Sequence, residues 1–154
     1  MRIDILTLFP EMLEATLATS IVKRAKDFGH VAVTVNDIRK WADNKHRRVD
    51  DRPYGVGHGM VWMCKPLHDA VQEVERQSND PALRIHFTPQ GEVLKQERVE
   101  QLSREKHLLL IAGHYEGIDE RVIETLDPLE LSTGDYVLSG GEIPALLLVD
   151  AVVR

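Results

Sequence analysis

Residues 134–145, Gly134-Asp135-Tyr136-Val137-Leu138-Ser139-Gly140-Gly141-Glu142-Ile143-Pro144-Ala145, decide how this chain is read. A Gly-Asp turn and a short apolar stretch, expected as a strand over Tyr136 to Leu138, lead into a Gly-Gly pair directly before a helix. A residue without a Cβ lets another group approach the backbone closely. Ser139 and Glu142 have the spacing of a capping box, which predicts a helix starting at Gly140. Such a junction leaves backbone N–H and C=O groups free, and this suits a small planar ligand. Residues 108–121 repeat the pattern: the apolar run Leu108 to Ala112 ends in Gly113-His114-Tyr115-Glu116-Gly117, ahead of Asp119-Glu120-Arg121. Glycine-marked strand ends recurring in one chain predict a ligand site built from loops.

Working outward, Arg2 to Phe9 reads as a buried strand ended by Pro10. Glu11 to Phe28 reads as helix in two pieces, broken near Thr19-Ser20, with Gly29 as C-cap. Val31 to Ile38 alternates and is β-branched, so it is a strand. Trp41 to Met60 reads as a long loop. Pro66 suits a first helical turn, and Leu67, Ala70, Val71 and Val74 give that helix an apolar face. Leu83 to Thr88 is a strand running into a turn at Thr88-Pro89-Gln90-Gly91, and Val93 to Arg104 is a short helix. His107 to Ala112 is almost wholly apolar, as expected of a strand covered on both faces. Ile118, Val122, Ile123 and Leu126 mark a helical face, Leu129 to Ser132 a strand, and Ile143 to Val153 an apolar helix. Strands alternating with helices predict an α/β fold, a mostly parallel sheet with helices on both faces. Such sheets bind ligands outside the carboxyl ends of their strands, where Thr88–Gly91, Gly113–Gly117 and Thr133–Gly141 fall.

With 154 residues, 29% charged and 43% hydrophobic, the chain supports one domain with a real core. No apolar run reaches the ~18 residues of a membrane span, and a cytoplasmic protein is expected. Cys64 stands alone and cannot form an internal disulfide; a small buried side chain is its expected role. A net charge of −6 does not advertise a nucleic-acid binder, yet Arg39, Lys40, Lys45, His46, Arg47, Arg48 and Arg52 cluster in one segment. That cluster fits a solvated loop and a phosphate-contacting patch equally well. The last helix stops at Arg154 without a Gly or Pro terminator, so the chain reads as part of a longer protein.

Familiar catalytic signatures are missing. Gly55-Val56-Gly57-His58-Gly59 is neither a dinucleotide turn nor a P-loop with its Lys-Ser/Thr, which weakens a nucleotide-phosphate reading of that loop. No HExxH spacing points to zinc, and no Gly-x-Ser-x-Gly elbow is present. Among the acids, Glu120 is best explained by a helix first turn and Asp135 by turn formation. Glu116, past a strand end, is the better functional candidate.

Asp4-Ile5-Leu6-Thr7-Leu8-Phe9-Pro10, Asp50-Asp51-Arg52-Pro53-Tyr54-Gly55, Pro89-Gln90-Gly91, Tyr115 to Arg121 and Gly134 to Ala145 together resemble the bacterial tRNA (guanine-N1)-methyltransferases of the SPOUT superfamily. They span nearly the whole chain in the right order. The resemblance implies a C-terminal deep trefoil knot in the α/β fold, which topology rules alone would reject. It implies methyl transfer from S-adenosylmethionine to N1 of the guanosine 3′ to the anticodon. Residues 1–154 would be the cofactor-binding catalytic domain, with the C-terminal tRNA-binding domain absent, so this piece alone is expected to be inactive. By position, Thr88, Pro89, Gly113, Thr133, Gly134, Tyr136, Leu138, Gly140, Gly141 and Pro144 would line the cofactor pocket. Arg154 would stabilise charge on the guanine O6, Glu116 would hold a guanosine, and Asp50, Arg52 and His114 would face the tRNA. The general base would lie beyond this chain. An obligate homodimer is implied, as is a need for Mg2+, for which no ligand set is evident. Val56, His58, Trp62, His114 and Thr133 depart from the usual family residues, His114 from an arginine.

Overall fold

The computed structural model describes residues 1–51, 59–114 and 117–154. Five strands, β1 (Arg2–Thr7), β2 (Ala32–Asp37), β5 (Leu83–Val93), β6 (His107–Ile111) and β7 (Leu129–Ser132), form one sheet in the order β2-β1-β6-β5-β7. Every neighbouring pair in it is parallel. Parallel strands need crossovers, and five helices lie in them: α1 (Pro10–Leu17), α2 (Ser20–Asp27), α3 (Cys64–Arg76), α4 (Gln96–Leu102) and α5 (Glu120–Leu126); α6 (Glu142–Val153) follows the last strand. Two short strands, β3 (Asp50–Asp51) and β4 (Val61–Trp62), pair antiparallel outside the main sheet.

Strand alternation divides the core in two. Ile3, Ile5, Ile85, Leu108 and Leu110 pack with α1, α2, α4 and α6 on one face. Leu6, Leu109 and Ile111 pack with α3, α5, Ile38 and Trp62 on the other. Central β6 is buried along its whole length, which is why its sequence is apolar on both faces. At the amino ends of the strands the buried Asp4 carboxylate pairs with Arg2 at 2.6 Å and with His107 Nε2 at 2.8 Å. Burial of this acid is tolerated because both oxygens are occupied.

Four sequence expectations change. Residues 88–91 do not turn the chain out of β5; the strand continues to Val93 and the segment is an irregularity, with Phe87 and Glu92 both opposite Leu131 of β7. A Cβ on Gly91 would meet the Glu130 carbonyl carbon and the Leu131 nitrogen at 2.6 Å, so the detour fits only glycine. Tyr136–Leu138 form no strand and leave β7 at the edge of the sheet; they line the cavity instead, with Val137 81% exposed. Helix α6 begins at Glu142 with Gly141 as N-cap, not at Gly140, and no side chain caps it. The Ser139–Glu142 capping box does not form because Glu142 is drawn into the core. The expected loop 41–60 includes β3 and the buried Val49, whose carbonyl accepts from the Met63 N–H at 2.8 Å.

Candidate functional site

The carboxyl ends of β5, β6 and β7 and the start of α6 enclose a cavity of about 250 Å³. Thr88 and Pro89 come from β5, Gly113 and His114 from the segment after β6, and Thr133, Tyr136 and Leu138 from the segment after β7. Gly140, Gly141 and Pro144 close it at the start of α6. Nine of the ten residues expected to line a cofactor pocket therefore meet here. The exception is Gly134, which does not line it; with φ at +151° and the Tyr136 ring against it, its role is to shape the chain.

Phe87, Leu131, Ser132 and His86 were not anticipated, whereas Gly117, Val137 and Ser139 fall in the segments expected at the strand ends without having been singled out. For His86 the signal was available: residues i and i+2 of a strand share a face, so Thr88 and His86 point the same way. Among the described lining residues there is no Asp, Glu, Lys or Arg.

The Gly-Gly pair has a physical reason within the fold as well. A Cβ on Gly141 would lie 2.7 Å from the Ala112 Cα, and its N–H donates to the Gly113 carbonyl at 2.7 Å. A Cβ on Gly140 would run into the His114 ring and the Glu142 carboxylate. The group approaching this backbone is the segment after β6, so the pair splices the two ends of the site together.

Glu142 is 1% exposed, and Thr7 at the carboxyl end of β1 donates to its Oε1 at 2.8 Å. Its Oε2 lies 3.4 Å from His114 Nδ1, and the first turn of α6 gives a carboxylate a favourable field. Phe9 packs against the His114 ring at 4.7 Å, tilted by 55°. His114 thus sits on the cavity wall between an aromatic ring and a buried acid. On the neighbouring strands, His86 and Glu130 are directly paired, with His86 Nδ1 3.3 Å from Glu130 Oε1. Burial pushes the His86 imidazole below its ordinary range, against an opposing pull from Glu130 and, more weakly, Glu120.

Asp119 is the N-cap of α5, its carboxylate accepting from the Arg121 N–H at 3.0 Å. The Arg121 guanidinium beside it holds its carboxyl below the usual range. Trp62 of β4 bridges to this region, its N–H donating to the Gly117 carbonyl and its carbonyl accepting from Asp119. Asp50 pairs with Trp62 in the small ribbon. Lys45, His46, Arg47 and Arg48 are exposed, whereas Arg39 is held by the Leu8 carbonyl at 2.6 Å. Arg154 is not at the cavity: it lies ten residues beyond Pro144, about 15 Å along the helix axis. Glu116, Arg52 and the Gly55–Gly57 part of the glycine-rich loop lie outside the described residues, as do Val56 and His58.

The family profile described as tRNA (Guanine-1)-methyltransferase TrmD matches residues 1–154. A tRNA (guanine-N(1)-)-methyltransferase of Chloroflexus aurantiacus is 51% identical over the whole chain, which covers 61% of that protein. The corresponding protein of Ruminiclostridium cellulolyticum is 47% identical over the whole chain, which covers 66% of it. A crystal structure of a tRNA (m1G37) methyltransferase from Aquifex aeolicus superposes with a TM-score of 0.91 at 39% identity, covering all of this chain and 69% of that one. The chain thus spans somewhat less than two thirds of the length of these two curated relatives.

Proposed function

We propose that this chain, which belongs to the tRNA (guanine-1)-methyltransferase family, is the cofactor-binding part of an enzyme that methylates N1 of the guanosine 3′ to the anticodon of tRNA. The single observation that carries the reading is the convergence of Thr88, Pro89, Gly113, Thr133, Tyr136, Leu138, Gly140, Gly141 and Pro144 on one cavity at the carboxyl ends of the strands. A cavity walled by backbone, small residues and exposed apolar side chains, with no ionised lysine, arginine or carboxylate among the described lining residues, fits a bent nucleoside of modest charge such as S-adenosylmethionine.

That ligand supplies an already activated methyl group. The chain's share of the work is then to hold and orient it and to exclude water, which is where most of the rate comes from when the donor is reactive. Tyr136, Val137 and Leu138 cover the cavity from the segment after β7. His114, held between Phe9 and Glu142, presents its ring at the cavity wall toward the acceptor base. Losing the N1 proton puts negative charge on the guanine O6, which a guanidinium stabilises; we assign this to Arg154. Since Arg154 lies about 15 Å from Pro144 in its own chain, the role calls for a second copy. Antiparallel pairing of two α6 helices through the exposed Ile143 and Leu147 brings Arg154 of one copy toward the cavity of the other. A homodimer is therefore part of the proposal, as are a C-terminal trefoil knot and a further tRNA-binding region. Among the described residues no group of three His, Cys, Asp or Glu side chains could hold a metal ion, so no step here is routed through Mg2+. Among the same residues no helix is long and apolar enough to cross a membrane.

The test is transfer of labelled methyl to a tRNA carrying a guanosine 3′ to its anticodon, with the product located by nuclease digestion and mass spectrometry. The longer protein containing this chain is expected to place the methyl on N1 of that guanosine, and the chain alone is expected to bind cofactor without turnover. Methylation of another base, or of no base by the longer protein, would contradict the assignment.

A further inference from the structure

Resting on the S-adenosylmethionine reading, we propose that the His86–Glu130 pair receives the cationic amino group of the ligand's amino-acid arm. His86 is on β5 and Glu130 directly opposite on β7, so both side chains stand on the same face of the sheet; His86 lines the cavity and Glu130 backs it from outside the lining. The His86 side chain is 12% exposed. Its Nδ1 lies 3.3 Å from Glu130 Oε1. A carboxylate only accepts, so the hydrogen is on Nδ1 and Nε2 is left as an acceptor. Burial keeps the ring neutral under ordinary conditions, which preserves that lone pair.

Nε2 faces the space beside Gly113: a Cβ built on Gly113 would be 3.7 Å from it. Glycine at this position leaves the acceptor uncovered. The charged groups acting on His86 are Glu130 from β7 and Glu120 from the start of α5, both carboxylates. The other ionisable lining groups are His114 and Tyr136. The field at His86 is therefore negative, set by carboxylates behind a wall whose described residues include no Asp, Glu, Lys or Arg. A neutral N–H donor has many backbone carbonyls to choose from; a cation is what this spot singles out.

The experiment is calorimetric titration with S-adenosylhomocysteine and with its deamino analogue, 4-(5′-adenosylthio)butanoate. The unmodified chain should bind the parent at least about tenfold more tightly, the weight of one lost charge-assisted hydrogen bond. His86→Phe should bring the parent down to the analogue's affinity and abolish the discrimination. Glu130→Gln, on an exposed side chain, keeps an acceptor for Nδ1 but removes the charge, and should retain only part of the discrimination. Affinity of the unmodified chain for the parent should fall on acidification, as a protonated ring repels the ammonium, while His86→Phe should respond less. Equal binding of both compounds by the unmodified chain overturns the proposal, and so does discrimination unchanged in His86→Phe and Glu130→Gln. If His86 instead controls preference for S-adenosylhomocysteine over its inosine counterpart, the pair reads the purine and the proposal is wrong. Absence of binding by either compound to a chain that circular dichroism reports as folded overturns the cofactor reading itself, a result distinct from equal binding.

Discussion

Glu142 is the residue on which the site turns, because it is an acid buried at the meeting point of β1, α6 and the segment after β6. Removing its donor leaves a buried carboxylate underserved. Thr7→Val is expected to lower stability by about 1.5–3 kcal/mol, the range for hydrogen bonds to charged groups, with Thr7→Ser recovering most of it. Denaturant midpoints measure this, and an unchanged midpoint in Thr7→Val would mean that Glu142 is satisfied otherwise. Asp119 gives a pH-dependent case. Its folded pKa is below the usual 3.8, so its contribution is present above that value and is lost as pH falls through the folded pKa. Asp119→Ala should cost about 1 kcal/mol near neutrality as an N-cap is lost. The gap between variant and parent should close in acid, and a gap that persists there would refute the capping role. Sequence spacing alone pointed Glu142 at Ser139, because local patterns cannot register a partner 135 residues away.

At the scale of elements, the β5–β7 pairing carries both the cavity and its main irregularity. Gly91 lies where a Cβ would strike the β7 backbone at 2.6 Å, and backbone cannot swing aside as a side chain does. Gly91→Ala should therefore destabilise by about 1–3 kcal/mol, the usual cost of overpacking. Thermal melts test it; a neutral result would show that the bulge relaxes freely. Helices α1, α2, α3 and α6 and strands β1, β2, β6 and β7 were legible, because their apolar periodicities report burial directly. Tyr136–Leu138 looked like a strand for the same reason, but side-chain type says nothing about whether a segment pairs with an edge. The bulge at residues 88–91 looked like a turn because Pro and Gly mark both.

Across the whole molecule, the doubly covered parallel sheet was foreshadowed by the apolar β6, whereas the strand order β2-β1-β6-β5-β7 was not, since it depends on crossovers that no local pattern encodes. The candidate site was legible as three strand ends, and their convergence is a consequence of parallel pairing. The splice made by Gly141 against Ala112 was invisible in the sequence for the same reason as Glu142. Exposed Ile143 and Leu147 on α6 give the proposed dimer a test. Leu147→Glu should turn a dimer into a monomer in sedimentation, with cofactor affinity changed far less than assembly. A dimer that survives the substitution would place the contact elsewhere.

The most direct test of the account is calorimetric titration of this chain with S-adenosylmethionine, with ATP and NAD as controls. Saturable binding near one site per chain is expected, with silent controls and loss of binding in Gly141→Val, where the splice beside the cavity is broken. A folded chain that gives no heat with S-adenosylmethionine, or that binds ATP or NAD in its place, would contradict it.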